Sequence, residues 1–289
     1  MKIDILCAVL NRRREIERML QSVVDQEVEY DSIVIVDNGS IDGTYEYLLS
    51  CGIRGLKLLR NNIQGKAYAL NYGLKKITGD VVVILDSDNE LYNSSVLKHI
   101  REIFLKQKGV DCLVTHTVDE GNNIMNVLKY EGKIDSVADY LDCLGENPIV
   151  FRSEWIKSES FPEIAGCRTE VMISVVLAAI QQKRCAFVGL VTQKYYQDAG
   201  NRITTRQIHH GRARELAIVF HYLTQKHKDF IIANAYWFYL KWLCKVGFYE
   251  KIAGFKTNND DRMMSVIRGV IKCIPIKLLV WVKLSLKKK

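Results

Sequence analysis

Two carboxylates one residue apart, Asp86 and Asp88, follow the apolar run Val81-Val82-Val83-Ile84-Leu85. Four of those five residues are β-branched, which predicts a strand buried on both faces. The i, i+2 spacing turns both acids to one side of the segment that leaves the strand. Uncompensated carboxylates beside a core are costly, and a divalent cation carrying a diphosphate would compensate them. Alone, Asp86-Ser87-Asp88 also reads as two acids capping a loop. A second acidic turn is Val36-Asp37-Asn38-Gly39-Ser40-Ile41-Asp42-Gly43-Thr44. It has good turn chemistry, and Asp42 is equally a helix N-cap. A third place, Gly65-Lys66, opens a helical stretch whose free N–H groups and dipole favour an anion. Gly65 is also readable as a loop glycine, and Lys66 as a solvated helix lysine.

The elements that must position these residues alternate. Residues 3–10 read as a strand. Residues 12–25 have helical periodicity through Ile16, Met19, Leu20 and Val23. A buried strand at 32–37, a helix at 43–50, a strand at 56–59, a helix at 67–77 and the strand at 81–85 follow. This β-α order predicts a mostly parallel sheet flanked by helices, with ligands beyond the carboxyl ends of its strands. Farther on, the pattern predicts a helix at 93–107, a strand at 111–117 and a short strand at 148–151. A helix at 168–182 and strands at 185–188 and 191–195 come next. Residues 120–147 show no clear pattern. From about 204 onward the chain reads as helical.

Charge is unevenly placed. Residues 201–289 hold 18 Lys and Arg against 5 Asp and Glu, while residues 1–200 hold 23 against 28. The basic back half suits an anionic surface, either nucleic acid or a membrane leaflet. Residues 237–245 mix aromatic and cationic side chains, and residues 271–289 combine an apolar segment with spaced lysines and a terminal Lys-Lys-Lys. That composition fits a helix lying in an anionic interface, or a domain-capping helix with a basic end. No nucleic-acid motif is present. The eight scattered cysteines form no C-x-x-C pair or Cys/His cluster, which argues against structural zinc. With no signal-peptide pattern and no run of 18 uncharged apolar residues, a cytoplasmic protein without a transmembrane helix is expected.

The order and spacing of the three turns resemble the GT-A-fold glycosyltransferases of family 2. Their N-terminal half runs through V-D-D-G-S-x-D-G-T, then N-x-G-x-x-x-A-x-N-x-G, then D-x-D. This chain has residues 36–44 at the first motif. It has Gly65, Ala69, Asn71 and Gly73 at the spacings of the second, with one extra residue after Asn62, and Asp86-Ser87-Asp88 at the third. The resemblance covers residues 3–195. It implies a GT-A catalytic domain over 1–203, divided into a nucleotide-sugar half (1–118) and an acceptor half (119–203). Residues 204–289 are left as the basic helical region.

The resemblance also implies roles. Asp37 and Asn38 would meet the donor's base or ribose. Gly65 and Lys66 would lie at its phosphates. Asp86, Ser87 and Asp88 would hold the ribose and diphosphate, with Asp88 and Asp86 on a Mn²⁺ or Mg²⁺. Arg202, or Arg206, would reach the diphosphate from a segment over the donor. The family's base lies in an E-D pair, matched here by Glu170-Val171, so Glu170 is the expected base and Glu163 a second candidate. The expected activity is inverting transfer of one sugar, by default from a UDP-sugar, to a lipid-linked oligosaccharide for capsule, O-antigen or exopolysaccharide. The Q-x-x-R-W pattern of processive synthases is absent. Attachment would be peripheral, at the inner face of the cytoplasmic membrane. Two other readings are a sugar-nucleotide pyrophosphorylase, against which the glycine-free stretch 6–14 speaks, and a non-catalytic binding module, suggested by Val171.

Overall fold

The structure, a computed structural model, describes residues 1–125, 130–143, 147–198, 210–258 and 262–273. The chain divides into two compact units, one of Met1–Glu163 with Arg168–Ile203 and one of Ile164–Cys167 with Thr204–Lys289.

In the first unit the elements are β1 (Ile3–Val9), α1 (Glu15–Val24), β2 (Ser32–Asp37), α2 (Thr44–Ser50), β3 (Leu56–Arg60), α3 (Lys66–Leu74) and β4 (Val81–Ile84). Then come β5 (Glu90–Leu91), α4 (Val96–Lys106), β6 (Cys112–Val118), β7 (Gly132–Lys133), α5 (Val137–Asp142), β8 (Ile149–Arg152), α6 (Ser153–Glu159), α7 (Met172–Gln181) and β9 (Cys185–Lys194). The strands form one sheet in the order β3-β2-β1-β4-β8-β6-β9-β5, with β7 on β9. The β3-β2-β1-β4 half is parallel, whereas β8 runs antiparallel to both β4 and β6. The chain steps outward from β1 to β3, then returns to lay β4 on β1's other edge. Loops therefore diverge between the carboxyl ends of β1 and β4, where such sheets bind ligands.

Both faces of this half are covered, so its strands lack polar–apolar alternation. Ile3, Ile5, Cys7 and Val9 of β1 and Val81 and Val83 of β4 pack with Ile16, Met19, Leu20 and Val23 of α1 and with Leu97, Ile100 and Phe104 of α4. On the other face α3 lies close to the sheet because position 73 is glycine. A Cβ there would stand 2.4 Å from Leu6 Cδ1 and 2.9 Å from Val36 Cγ2.

Two expected boundaries differ. The helix expected from 168 begins at Met172, because the Arg168 carbonyl accepts the Lys66 N–H at 2.8 Å and Val171 takes a non-helical φ/ψ of −105°/66°. The two strands expected in 185–195 are one strand, β9, whose pairing with β6 slips in register between Val114 and Thr117. In the antiparallel half, α5, α6, β5 and β7 were not resolved by sequence pattern.

The second unit contains α8 (His210–Lys226), α9 (Lys228–Ala253, kinked at Ala235) and α10 (Arg262–Cys273). Ala213 and Ala217 of α8 pack against Tyr249 and Ile252 of α9. Gly247 admits α10, since Met264, Ile267 and Ile271 stand 3.0–3.2 Å from where its Cβ would be. Buried Glu250 fixes the pair: Arg268 Nε and Nη2 donate to its two oxygens at 2.9 and 2.7 Å. No helix among the described residues is long and apolar enough to cross a membrane.

Candidate active site

The site begins with turns that satisfy their own backbone. Asp37 ends β2 fully buried, its carboxylate accepting the N–H groups of Gly39 and Ser40 at 3.2 Å and lying 3.5 Å from Arg60 Nε. The Asn38 amide, oriented by its hydrogen bonds, donates to Ile63 O at 2.9 Å and accepts from Gly65 N at 3.0 Å. Asp42 does not cap α2 itself; left-handed Gly43 (φ 88°) does. Asp42 instead ties two turns together, accepting from Thr44 N and Oγ1 at 3.1 and 2.5 Å and from Arg13 N at 3.1 Å. Burial raises its pKa, and these bonds more than offset that, so the carboxyl titrates below its ordinary value.

Gly65 caps α3 with φ 138°, a conformation that side-chain-bearing residues rarely adopt. That turn aims Lys66 back toward the end of β4. Its Nζ donates to Asp86 Oδ1 at 2.7 Å and to Glu170 Oε1 at 2.9 Å. Burial would lower the lysine pKa, but the two carboxylates more than offset it and hold the ammonium above its ordinary range. Asp88 is mostly buried. Desolvation first, then the neighbouring charge of Asp86, push its carboxyl up, against Arg12 and Lys66. Arg12 Nε lies 3.5 Å from Asp88 Oδ2. Ser87, between the acids, is buried.

The expected residues thus fall into two groups at one end of the sheet. Lys66, Asp86 and Glu170 touch directly, with Ser87 and Asp88 beside them. Asp37, Asn38 and Gly65 form the neighbouring group beyond β1. Glu163 is engaged elsewhere: Asn71 Nδ2 donates to it at 2.8 Å and to Phe161 O at 2.8 Å, locking α3 to that segment. Arg202 and Arg206 lie outside the described residues. Val171 is buried at the cap of α7.

Two arginines at the site were not singled out from sequence. Arg12 is buried and donates through its N–H to Thr44 Oγ1 at 2.9 Å. Arg18 of α1 donates to the Asp88 carbonyl at 2.9 Å and to Asp198 at 2.8 and 3.2 Å, while its guanidinium stacks 3.6 Å from the Tyr196 ring centroid. Tyr196 in turn donates to Glu90 Oε2 at 3.0 Å. Arg18 therefore joins the acidic turn to the segment after β9. The available signal was Arg12-Arg13-Arg14, three cations directly after the first strand.

A divalent metal fits Asp86 and Asp88. Both offer hard oxygen ligands, and a cation would offset the burial and then the Asp86 charge that push the Asp88 carboxyl up. Among the described residues no cluster of three or more His, Cys, Asp or Glu surrounds a possible metal position. Diphosphate oxygens and water are hard ligands of the same kind and would suit the remaining positions.

Comparison with known proteins places this geometry. The family model "Glycosyl transferase family 2" matches residues 4–156, more than half of the chain. The chain belongs to glycosyl transferase family 2. An uncharacterised glycosyltransferase of Nostoc sp. is 29% identical over 126 residues, covering 43% of this chain and 39% of that protein. Poly-beta-1,6-N-acetyl-D-glucosamine synthase of Staphylococcus aureus is 34% identical over 95 residues, 30% of this chain and 21% of the synthase. The matches thus span less than two thirds of these relatives. Among solved structures, S. aureus TarS 1-349 in complex with UDP-GlcNAc superposes with a TM-score of 0.66 at 15% identity, covering 93% of this chain and 88% of that one. The mannosyltransferase PcManGT of Pyrobaculum calidifontis, solved with GDP-Man and Mn²⁺, gives 0.57 at 17% identity, over 100% and 81%. The family 2 chain has the GT-A fold: a mixed α/β sheet flanked by helices, with a helical C-terminal region.

Proposed function

We propose that this chain is an inverting, metal-dependent glycosyltransferase that moves one sugar from a UDP-sugar to a lipid-linked saccharide in bacterial surface-polysaccharide synthesis. The observation that carries the reading is Lys66, whose ammonium joins Asp86 at the end of β4 to Glu170 before α7. Donor-side and acceptor-side carboxylates are thereby held together at the carboxyl end of a parallel sheet.

In the reaction, an acceptor hydroxyl attacks the anomeric carbon while the bond from that carbon to the diphosphate oxygen breaks. The electron pair leaves with the nucleoside diphosphate, and the hydroxyl proton passes to Glu170 Oε1 or Oε2. Asp88 and Asp86 would hold the divalent cation, which would supply stabilisation of charge on the leaving diphosphate. Lys66 orients Glu170, and the α3 N-terminus with Arg12 adds positive potential on the phosphate side. Asp37 and Asn38 brace the wall that faces the base and ribose. We place the enzyme at the cytoplasmic face of the membrane, where a lipid-linked acceptor would be presented.

Buried Val171, at the position of the family's aspartate, favours a second reading, a donor-binding module without turnover. One assay set separates the two. UDP with Mn²⁺ should raise the melting temperature of wild type by mass action, and Asp88→Ala should remove the Mn²⁺-dependent part. Sugar transfer to a lipid-linked acceptor that falls about a hundredfold or more in Glu170→Gln supports the enzyme. Donor binding with no transfer to any acceptor supports the module. A Mn²⁺-dependent shift that survives Asp88→Ala refutes the metal assignment.

A further inference from the structure

A second, exposed apolar strip runs along a flank of α10. The inward side is fixed by contact: Met264 and Ile271 are buried, Ile267 lies over Gly247, and Arg268 pairs with Glu250. Helical spacing puts Met263, Val266 and Val270 on a flank roughly 120° round the helix from that inward side. They are 40, 62 and 59% exposed. Gly269 beside them faces open space, and Arg262 and Lys272 are exposed at the two ends. The inward face alone accounts for the docking of α10, so the outward valines do nothing for the unit's own core.

Charge decides what complements them. Of the five acids in residues 201–289, Glu215 and Glu250 are buried and paired with Arg212 and Arg268. Burying these acids while most of the described cations of the unit, Lys241, Lys245 and Arg262 among them, are exposed makes its described surface more basic than its composition. The 274–289 sequence adds five lysines and no acid. An exposed valine strip on a helix with exposed cations at both ends, Arg262 and Lys272, complements an anionic lipid leaflet, which takes both the apolar area and the charge. Nucleic acid would satisfy the charge through its phosphates but gain little from Val266 and Val270.

We propose that the exposed flank of α10, centred on Val266 and Val270, seats the protein in the interface of an anionic bilayer. The inference rests on the lipid-linked acceptor reading for its purpose, because transfer to such an acceptor takes place at that interface. The test is flotation of the full chain with vesicles of phosphatidylglycerol and phosphatidylcholine in equal parts, against phosphatidylcholine alone. Binding should be about tenfold or more tighter to the anionic vesicles and should weaken with salt. The exposed double variant Val266→Ser, Val270→Ser should lose about tenfold in partitioning, and Val266→Leu, Val270→Leu should gain several-fold. The melting shift with UDP and Mn²⁺ is followed in parallel. If it is kept while the serine variant detaches, the docking face stands apart from donor chemistry. If it is missing in wild type, the donor reading fails independently. The proposal is overturned if the serine variant floats like wild type or if both vesicle types bind alike. It is also overturned if the variant turns a vesicle-free dimer into a monomer, which would assign the face to a second copy.

Discussion

Replacing Lys66 by methionine keeps most of the side chain's volume and removes the one charge shared by two carboxylates. Asp86 Oδ1 and Glu170 Oε1 then face each other at most about 5.6 Å apart, the 2.7 and 2.9 Å contacts laid end to end. At an effective dielectric near 20 that repulsion is about 3 kcal/mol. The side chains of Lys66 and Glu170 are 19% exposed and that of Asp86 36%, so solvent screens part of it. About 2 kcal/mol of lost stability is the working figure. Urea unfolding of wild type, Lys66→Met, Glu170→Gln and the double variant forms a cycle that isolates the coupling. Lys66→Met should unfold about 2 kcal/mol more readily, and adding Glu170→Gln should restore most of that because only one acid remains ionised. A Lys66→Met loss under about 0.5 kcal/mol would refute the reasoning. So would a double variant no more stable than Lys66→Met.

Other consequences follow from single contacts. Glu250→Gln removes a buried charge held by Arg268 and Thr257, and should cost about 2 kcal/mol by denaturant unfolding. Burial pushes the Glu250 carboxyl up, but those bonds more than offset it and its pKa lies below the ordinary value. Its contribution is therefore complete above about pH 4.3 and is lost as pH falls through the lower folded value. Melting curves taken downward from neutral pH should show an acid-side loss in wild type that the glutamine variant lacks. Gly73→Ala adds a methyl 2.4 Å from buried Leu6, and the overpacking cost of about 2 kcal/mol exceeds the roughly 1 kcal/mol gained in helix propensity. A net loss by thermal unfolding checks it. Arg18→Ala should leave global stability within about 1 kcal/mol while amide exchange at 196–198 speeds up, since Arg18 holds Tyr196 and Asp198.

The parallel half of the fold was legible because two-sided burial writes itself as unbroken apolar runs, such as Val81 to Leu85. The turns were legible because their chemistry is local: Gly65 must be glycine at φ 138°, and Asp86 and Asp88 sit where a buried strand ends. The antiparallel half was not. A two-residue strand such as β7 and a six-residue helix such as α5 are too short to show a period. The slip in β9 pairing imitates the end of one strand and the start of another. Arg12 and Arg18 escaped notice because arginines at the start of an amphipathic helix ordinarily face water. The return of residues 86–90 and 196–198 to the same place gives them their acidic partners. The contact of Lys66 with Glu170 joins residues 104 apart in sequence, beyond any local pattern.

That long contact also explains how the site tolerates its departure from the family pattern at position 171. Val171 is 3% exposed and caps α7, whose Val175, Val176, Leu177, Ala179 and Ile180 are buried behind it. A carboxylate there would enter apolar surroundings at a cost of several kcal/mol. Lys66, the cation that Glu170 meets, already serves Asp86 as well. A valine at 171 thus suits the core, and Glu170, one residue earlier, turns its carboxylate to Lys66 of α3. Because the Arg168 carbonyl binds the first N–H of α3, the backbone carrying Glu170 is anchored to the same helix end that carries Lys66. Carboxylate and ammonium are held from both backbone and side chain, the arrangement that the proposed role of Glu170 as proton acceptor requires.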